Sequence, residues 1–300
     1  MVLDDELVVG NAVYDGAVYA AGRVVLASRE PARFGGHLAV HSPPRFASPA
    51  ATLSQFVAGV DLTPQTKRRL LLPPLPDQLG KVSPNGFSVS GDALFVRVEG
   101  ALDLRLEERA LVLGGPVEAR IPFDGALRLY VDGEVRVSGR IRWPLLLRAT
   151  GAVRVVDDLW YVDGAGRRPV RLDPYPARQK EYRGDAALVI VAPEVLLCPR
   201  PLKRDMVVCA LLFAYKGTVR VEATHLGERL LIYGARIVRK RPYRRRKMLV
   251  RRGGETVRME CGFRRAYYFC DRMVEKRLPA GVPAVSVPVF SGFRVVRKKP

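Results

Sequence analysis

Side chains that carry chemistry are scarce in these 300 residues, which include only three histidines and four cysteines. His37 and His41 stand four apart, but Gly and Pro in "FGGHLAVHSPP" argue against the helix that would align them on one metal. Cys198, Cys209, Cys261 and Cys270 contain no C-x-x-C pair, so a zinc ribbon or finger is excluded. They read as small buried apolar residues, with Cys261 and Cys270 placed to face each other across a hairpin, which leaves one disulfide open. There is no phosphate-binding loop, no G-x-G-x-x-G after a strand and no G-x-S-x-G. The acidic doublets Asp4-Asp5, Glu107-Glu108 and Asp157-Asp158 would point to opposite faces of a strand, so none makes a dyad by itself. Asp157, Asp158 and Asp163 around "LWYVDG" read as a turn-rich loop. These absences name no reaction: no catalytic residue, metal or cofactor is assigned.

No run of eighteen apolar residues occurs, so no helix is expected to span a bilayer. The first residues, "MVLDDELVVGNAVYDG", are acidic and alternating without a positive leader, and the expected location is cytoplasmic. Amides are nearly missing, with two Asn and four Gln, while Pro stands at 23. That composition fits life at high temperature.

Helix signals are also few. Ser48-Pro49 followed by "AATLSQFVAG", and Thr63-Pro64 followed by "QTKRRLLL", suggest one or two short helices near 48–72. Almost everything else alternates with period two and is punctuated by turn residues every eight to twelve positions. In "LRLYVDGEVRVSGRI" (127–141), Asp132-Gly133 fits a type I′ turn between two strands. The expectation is an all-β fold of mainly antiparallel sandwich or barrel units. No internal repeat stands out. The polar, Gly- and Pro-rich stretch 163–185 suggests a boundary between a charge-neutral domain 1–170 and a basic domain 171–300.

Charge supports that division. Residues 1–150 hold 17 basic and 16 acidic residues, whereas 151–300 hold 33 and 14. Residues 236–300 alone carry 20 basic against 4 acidic. Charge raised for thermal stability would rise in both signs along the whole chain, so a localised excess points to an acidic partner. The densest run is "RIVRKRPYRRRKMLVRRGG" (236–254). Gly253-Gly254 reads as a hairpin turn, with "KMLVRR" pairing back on "ETVRMECGF", and Arg239–Lys247 reads as a loop stiffened at Pro242.

The residues offered to phosphate are Arg239, Lys240, Arg241, Tyr243, Arg244, Arg245, Arg246 and Lys247, with Arg251 and Arg252. Arg264, Arg265, Arg297, Lys298 and Lys299 add to them. Tyr267, Tyr268 and Phe269 are aromatic neighbours that read first as β core. Arg and Lys neutralise phosphates and release counterions, so nucleic acid, bound without base specificity, is the leading partner. An acidic protein partner and an anionic membrane surface are the alternatives. The Arg-, Val- and Pro-rich style resembles proteins of hyperthermophilic archaea. The segment "LDPYP…ALVIVAPEVLLCP…LLIYG" resembles β-rich archaeal families, a likeness that implies no particular residue roles.

Overall fold

In the computed structural model, the described residues are 71–162, 182, 184–240, 242–252, 255–269 and 277–285, with short strands between 7 and 70. Strands dominate, and the long ones pair in parallel. Leu127–Ile141, Pro144–Ala149, Ala187–Ala192, Asp205–Ala214 and Val153–Tyr161 close on one another as an all-parallel five-stranded barrel, and further strands extend the sheet. The expected antiparallel sandwich is therefore corrected. Among the described residues, antiparallel pairing is confined to the strands flanking Ala93–Glu107, the hairpin 245–269 and one two-residue pair.

The ring closes because long strands bend and change partner along their length. Residues 127–131 pair with 145–149, whereas 135–141 pair with strand 153–161. Each circuit thus lays a new turn of chain on the last, and three rows of stacked strands result. One row aligns Leu94, Leu129, Leu147, Ile190 and Leu212. A second aligns Leu102, Val135, Val153, Val195 and Val219. A third runs Leu159, Val208, Ile232, Tyr268, Tyr14 and Phe34. The Leu, Ile and Val residues of these ladders are buried in one core, each worth about 1.5–3 kcal/mol relative to exposure. A turn takes 18 residues at Leu129 and Leu147, 22 at Val189 and Leu211, and 24 at Val207 and Leu231. Such uneven periods hide the repeat from sequence inspection.

Gly133 explains the failure of the expected hairpin. Its φ of +144° bends the strand without reversing it, at the point where its partner changes. A Cβ there would lie 2.5 Å from Val98 Cγ2, so the corner needs glycine for space as well as for conformation. Alternation looks the same in either architecture, because one face turns inward in both.

The first row is covered on its outer side as well. Leu146, Ala187, Val189, Val191, Leu211 and Phe213 pack beneath Leu72, Leu278 and Val282. Burial on both faces makes strands 187–192 and 205–214 nearly continuous apolar runs, as parallel strands require. The N-terminal strand Ala12–Tyr14 lies parallel to residues 266–268 of strand Glu255–Phe269, and Arg33–Phe34 follows it. Strand Pro144–Ala149, before segment 163–181, pairs directly with Ala187–Ala192 after it, Pro144 opposite Ala187. Of the expected helical region 48–72, residues 60–62 and 70–71 are strands, Leu72 is non-helical, and the rest lies outside the described residues. Asp157 and Asp158 lie within a strand rather than a turn; Asp163 is outside the described residues. No helix among the described residues is long and apolar enough to cross a membrane.

A tyrosine cluster secures the chain where segment 163–181 leaves and rejoins the barrel. The Tyr182 hydroxyl donates to the Val162 carbonyl (3.0 Å) and accepts from the Ala186 amide (3.1 Å). The Tyr182 amide donates to the Tyr233 hydroxyl, and the Leu188 amide to that of Tyr161, each at 3.1 Å. Burial pushes the Tyr182 phenol up to about 12 from the ordinary 10.0. The unfolded chain therefore releases this proton first as pH rises. The contribution of Tyr182 to stability is complete below pH 10 and is lost between pH 10 and 12, a fall of roughly 2–3 kcal/mol. Urea denaturation at pH 9 and pH 11.5 should show that fall, and Tyr182→Phe should flatten it. An unchanged pH dependence in the variant would refute the assignment.

Candidate nucleic-acid interface

Many arginines on the body of the fold meet carboxylates outside the core, although among the described residues no carboxylate lies within ion-pair distance of Arg109, Arg142, Arg204 or Arg265. Arg136 lies 3.5 Å from Asp103, Arg154 lies 3.9 Å from Glu134, and Arg229 chelates Asp205 at 2.5 and 3.0 Å, all across neighbouring parallel strands, where opposite charges support the stacking. Arg154 also reaches Glu222 at 2.7 Å, beyond the intervening strand 195–197, and Arg220 lies 3.0 Å from Glu222 in its own segment.

The hairpin Arg245–Arg252 with 255–262 departs from this pattern. Its eight cross-strand pairs run from Arg245 opposite Gly262 to Arg252 opposite Glu255, and Gly253-Gly254, read as the turn, lie outside the described residues. Strand Glu255–Phe269 then serves two purposes. Residues 262–269 belong to the third row of the barrel, paired with 226–233, while the first half leaves the stack to form a two-stranded ribbon. The ribbon holds six basic residues against two acidic ones. Arg245 meets Glu260 at 3.5 Å. Among the described residues, no carboxylate lies within ion-pair distance of Arg246, Lys247 or Arg258.

Alternation splits the ribbon into two faces. Arg245, Lys247 and Leu249 share one face with Arg258 and Glu260, and Met248 lies opposite Met259 on the other, beside Val257 and Cys261. Leu249 is 73% exposed, an apolar side chain in the middle of a charged face. Arg258 is the functional candidate that sequence reasoning missed. Its place on the polar side of "ETVRMECGF" was legible, but only the pairing with Leu249 sets it beside Lys247.

The other sequence candidates separate. Arg239 and Lys240 sit at a bend where both backbone amides donate to the Gly217 carbonyl, at 3.1 and 3.0 Å. Tyr243 continues the second row of the barrel: its amide donates to Val219 and its carbonyl accepts from Val221, while the residue remains exposed. Arg244 is half-buried, and its carbonyl accepts from the Phe263 amide at 3.0 Å. Arg245, Arg246 and Lys247 belong to a strand rather than to the expected loop. Arg251 and Arg252 are paired near the tip through their backbones. Arg264 and Arg265 lie on the barrel, exposed, with Arg264 at 3.8 Å from Glu228 and Arg265 beside Arg204 and Arg229. Arg241, Arg297, Lys298 and Lys299 are outside the described residues, as are His37 and His41.

The aromatic neighbours serve the core. Tyr267 and Phe269 are buried and stacked with centroids 6.5 Å apart. Tyr268 stacks on Tyr14 at 4.8 Å, with the Arg236 guanidinium 4.0 Å above its ring. Cys261 is a free, buried thiol, and Cys270, its partner in the disulfide left open by the sequence, lies outside the described residues.

An open groove of about 650 Å3 gathers Glu107, Glu108, Asp157 and Asp158 with Arg140 and Arg200. Its carboxylates are committed to cations. Hydrogen bonds from Arg105 and then Arg120 hold Glu107 below the usual carboxylate range. Burial pushes Asp157 up, but hydrogen bonds led by that from Lys203 outweigh it and hold the group low. Carboxylates held ionised in this way are unsuited to donating a proton near neutral pH. His225 Nε2 lies 2.8 Å from the Lys203 carbonyl. Among the described residues, no cluster of three or more His, Cys, Asp or Glu could hold a metal ion.

Fold and interface together define an all-parallel β barrel of stacked turns carrying a basic antiparallel ribbon. No protein-family model, curated protein or solved structure matches the chain.

Proposed function

We propose that the protein holds nucleic acid through the phosphate backbone, with the ribbon 245–262 as its principal contact. The observation that carries this reading is the concentration of six basic residues against two acidic ones on one short ribbon, where among the described residues no carboxylate reaches Arg246, Lys247 or Arg258. Like charge held together opposes the compact state, so an anionic partner accounts for its concentration on the ribbon. Binding is dominated by phosphate contacts and carries no strong sequence preference, since most ribbon donors are point charges or guanidinium groups free to follow a backbone.

Fluorescence anisotropy with labelled oligonucleotides across a salt titration tests it. If about six basic side chains meet phosphate, log K should fall against log[salt] with a slope of roughly −4 to −5. A slope shallower than about −1, or no binding below millimolar concentration at low salt, would remove the proposal.

A further inference from the structure

We infer that the ribbon's ligand is B-form duplex DNA, engaged through the major groove, with a few base-edge contacts added to the phosphate contacts that dominate binding; this rests on the nucleic-acid reading above. Three observations point to the duplex. The first is shape. Eight antiparallel pairs span about 27 Å of extended chain, and two strands about 4.8 Å apart, with side chains, are about 10 Å wide. The major groove of B-DNA is about 12 Å wide and admits a two-stranded β-ribbon. Duplex RNA in A-form has a deep, narrow major groove that side chains cannot read.

The second observation is the absence of a stacking platform. Single-strand binders place successive bases on aromatic rings. Residues 245–262 include no aromatic at all. The rings on the following part of the same strand are already used: Tyr267 and Phe269 are core, and Tyr268 lies between Tyr14 and Arg236.

The third is the make-up of the basic face. Lys247 and Arg258 flank Leu249, 73% exposed, with Arg245 and Glu260 nearer the barrel. This combination matches what the groove floor offers. Guanidinium and ammonium groups donate to guanine N7 and O6, and an apolar side chain contacts the thymine methyl. Leu249 thereby gains a surface to cover it, which the described residues do not provide.

The test compares one sequence as a 20-base-pair DNA duplex, as single-stranded DNA and as an RNA duplex, at one salt concentration. The DNA duplex should bind about tenfold or more tighter than either of the others. Guanine N7 should be protected from dimethyl sulfate methylation in the complex. Arg258→Gln should weaken duplex DNA binding by about tenfold, with an unchanged melting temperature. Equal or tighter binding of the single strand, or of the RNA duplex, overturns the groove assignment and leaves the nucleic-acid reading standing. Exposed guanine N7 in a saturated complex overturns it too. Failure of all three ligands, with the protein instead sedimenting on phosphatidylglycerol–phosphatidylcholine vesicles, overturns both.

Discussion

Charge reversal of the ribbon, Arg245→Glu with Arg246→Glu and Lys247→Glu, is expected to abolish nucleic-acid binding while leaving the barrel folded. Three favourable contacts with the anionic ligand become three repulsions. The loss should reach about a thousandfold at moderate salt, on the order of 4 kcal/mol. The fold should survive because all three side chains are exposed, on a strand that leaves the stack. One local strain is foreseen: Arg245 loses its contact with Glu260, at 3.5 Å, and gains a like charge there. A parallel variant with glutamine at the three positions removes that repulsion, and it should still lose most of the affinity. Both are read by oligonucleotide anisotropy, with thermal melting as the check on folding. Affinity within threefold of the parent in the glutamate variant would exclude the ribbon as the binding surface.

Gly139→Val should have the largest effect on stability. Gly139 sits at a corner of strand 127–141 with φ +118°, a region that β-branched residues avoid. A Cβ there would stand 2.1 Å from the Leu106 carbonyl oxygen and 3.0 Å from its carbonyl carbon. That carbonyl belongs to Ala93–Glu107, held between Leu127–Ile141 and Ala110–Gly114, so it has no easy way to move. Backbone strain and overpacking together should cost about 4 kcal/mol or more, a large share of the 5–15 kcal/mol typical of a folded domain. Gly80→Ala serves as the control, because nothing lies within 4 Å of a Cβ at that position. Chemical denaturation of the two variants should separate them clearly. A shift below about 1 kcal/mol for Gly139→Val would mean that the corner is not where the stacked turns are pinned.

Much of this architecture was legible, and the errors are instructive. Val135, Val137, Val153 and Val155 alternate with polar neighbours, and they are buried as alternation requires. The same alternation carried no information about the direction of the neighbouring strand, and so Asp132-Gly133 read as a reversal. A better signal was present in "ALVIVA" and "MVVCALLFA". Continuous apolar runs belong to strands buried on both faces, which favours parallel pairing. For the interface, the pairing of "KMLVRR" back on "ETVRMECGF" and the density of charge were readable from the sequence. The withdrawal of Tyr267 and Phe269 into the core, and the separation of Arg264 and Arg265 from the ribbon, were not.

By itself, then, the amino-acid order determined that the chain is mainly β, that its positive charge is concentrated in one region, and that strand 245–252 pairs back on the strand after it. These are local matters: side-chain period, composition and turn chemistry act over a few residues. Tertiary structure alone decided that the strands stack in parallel, that Gly133 and Gly139 are corners, and which arginines are neutralised. The pair of Arg154 with Glu222 spans 68 positions, and strand 255–269 pairs with residues 12–14 from near the other end of the chain. Such partners are selected by the burial of whole apolar ladders, an energy that belongs to the assembled turns and to no single segment.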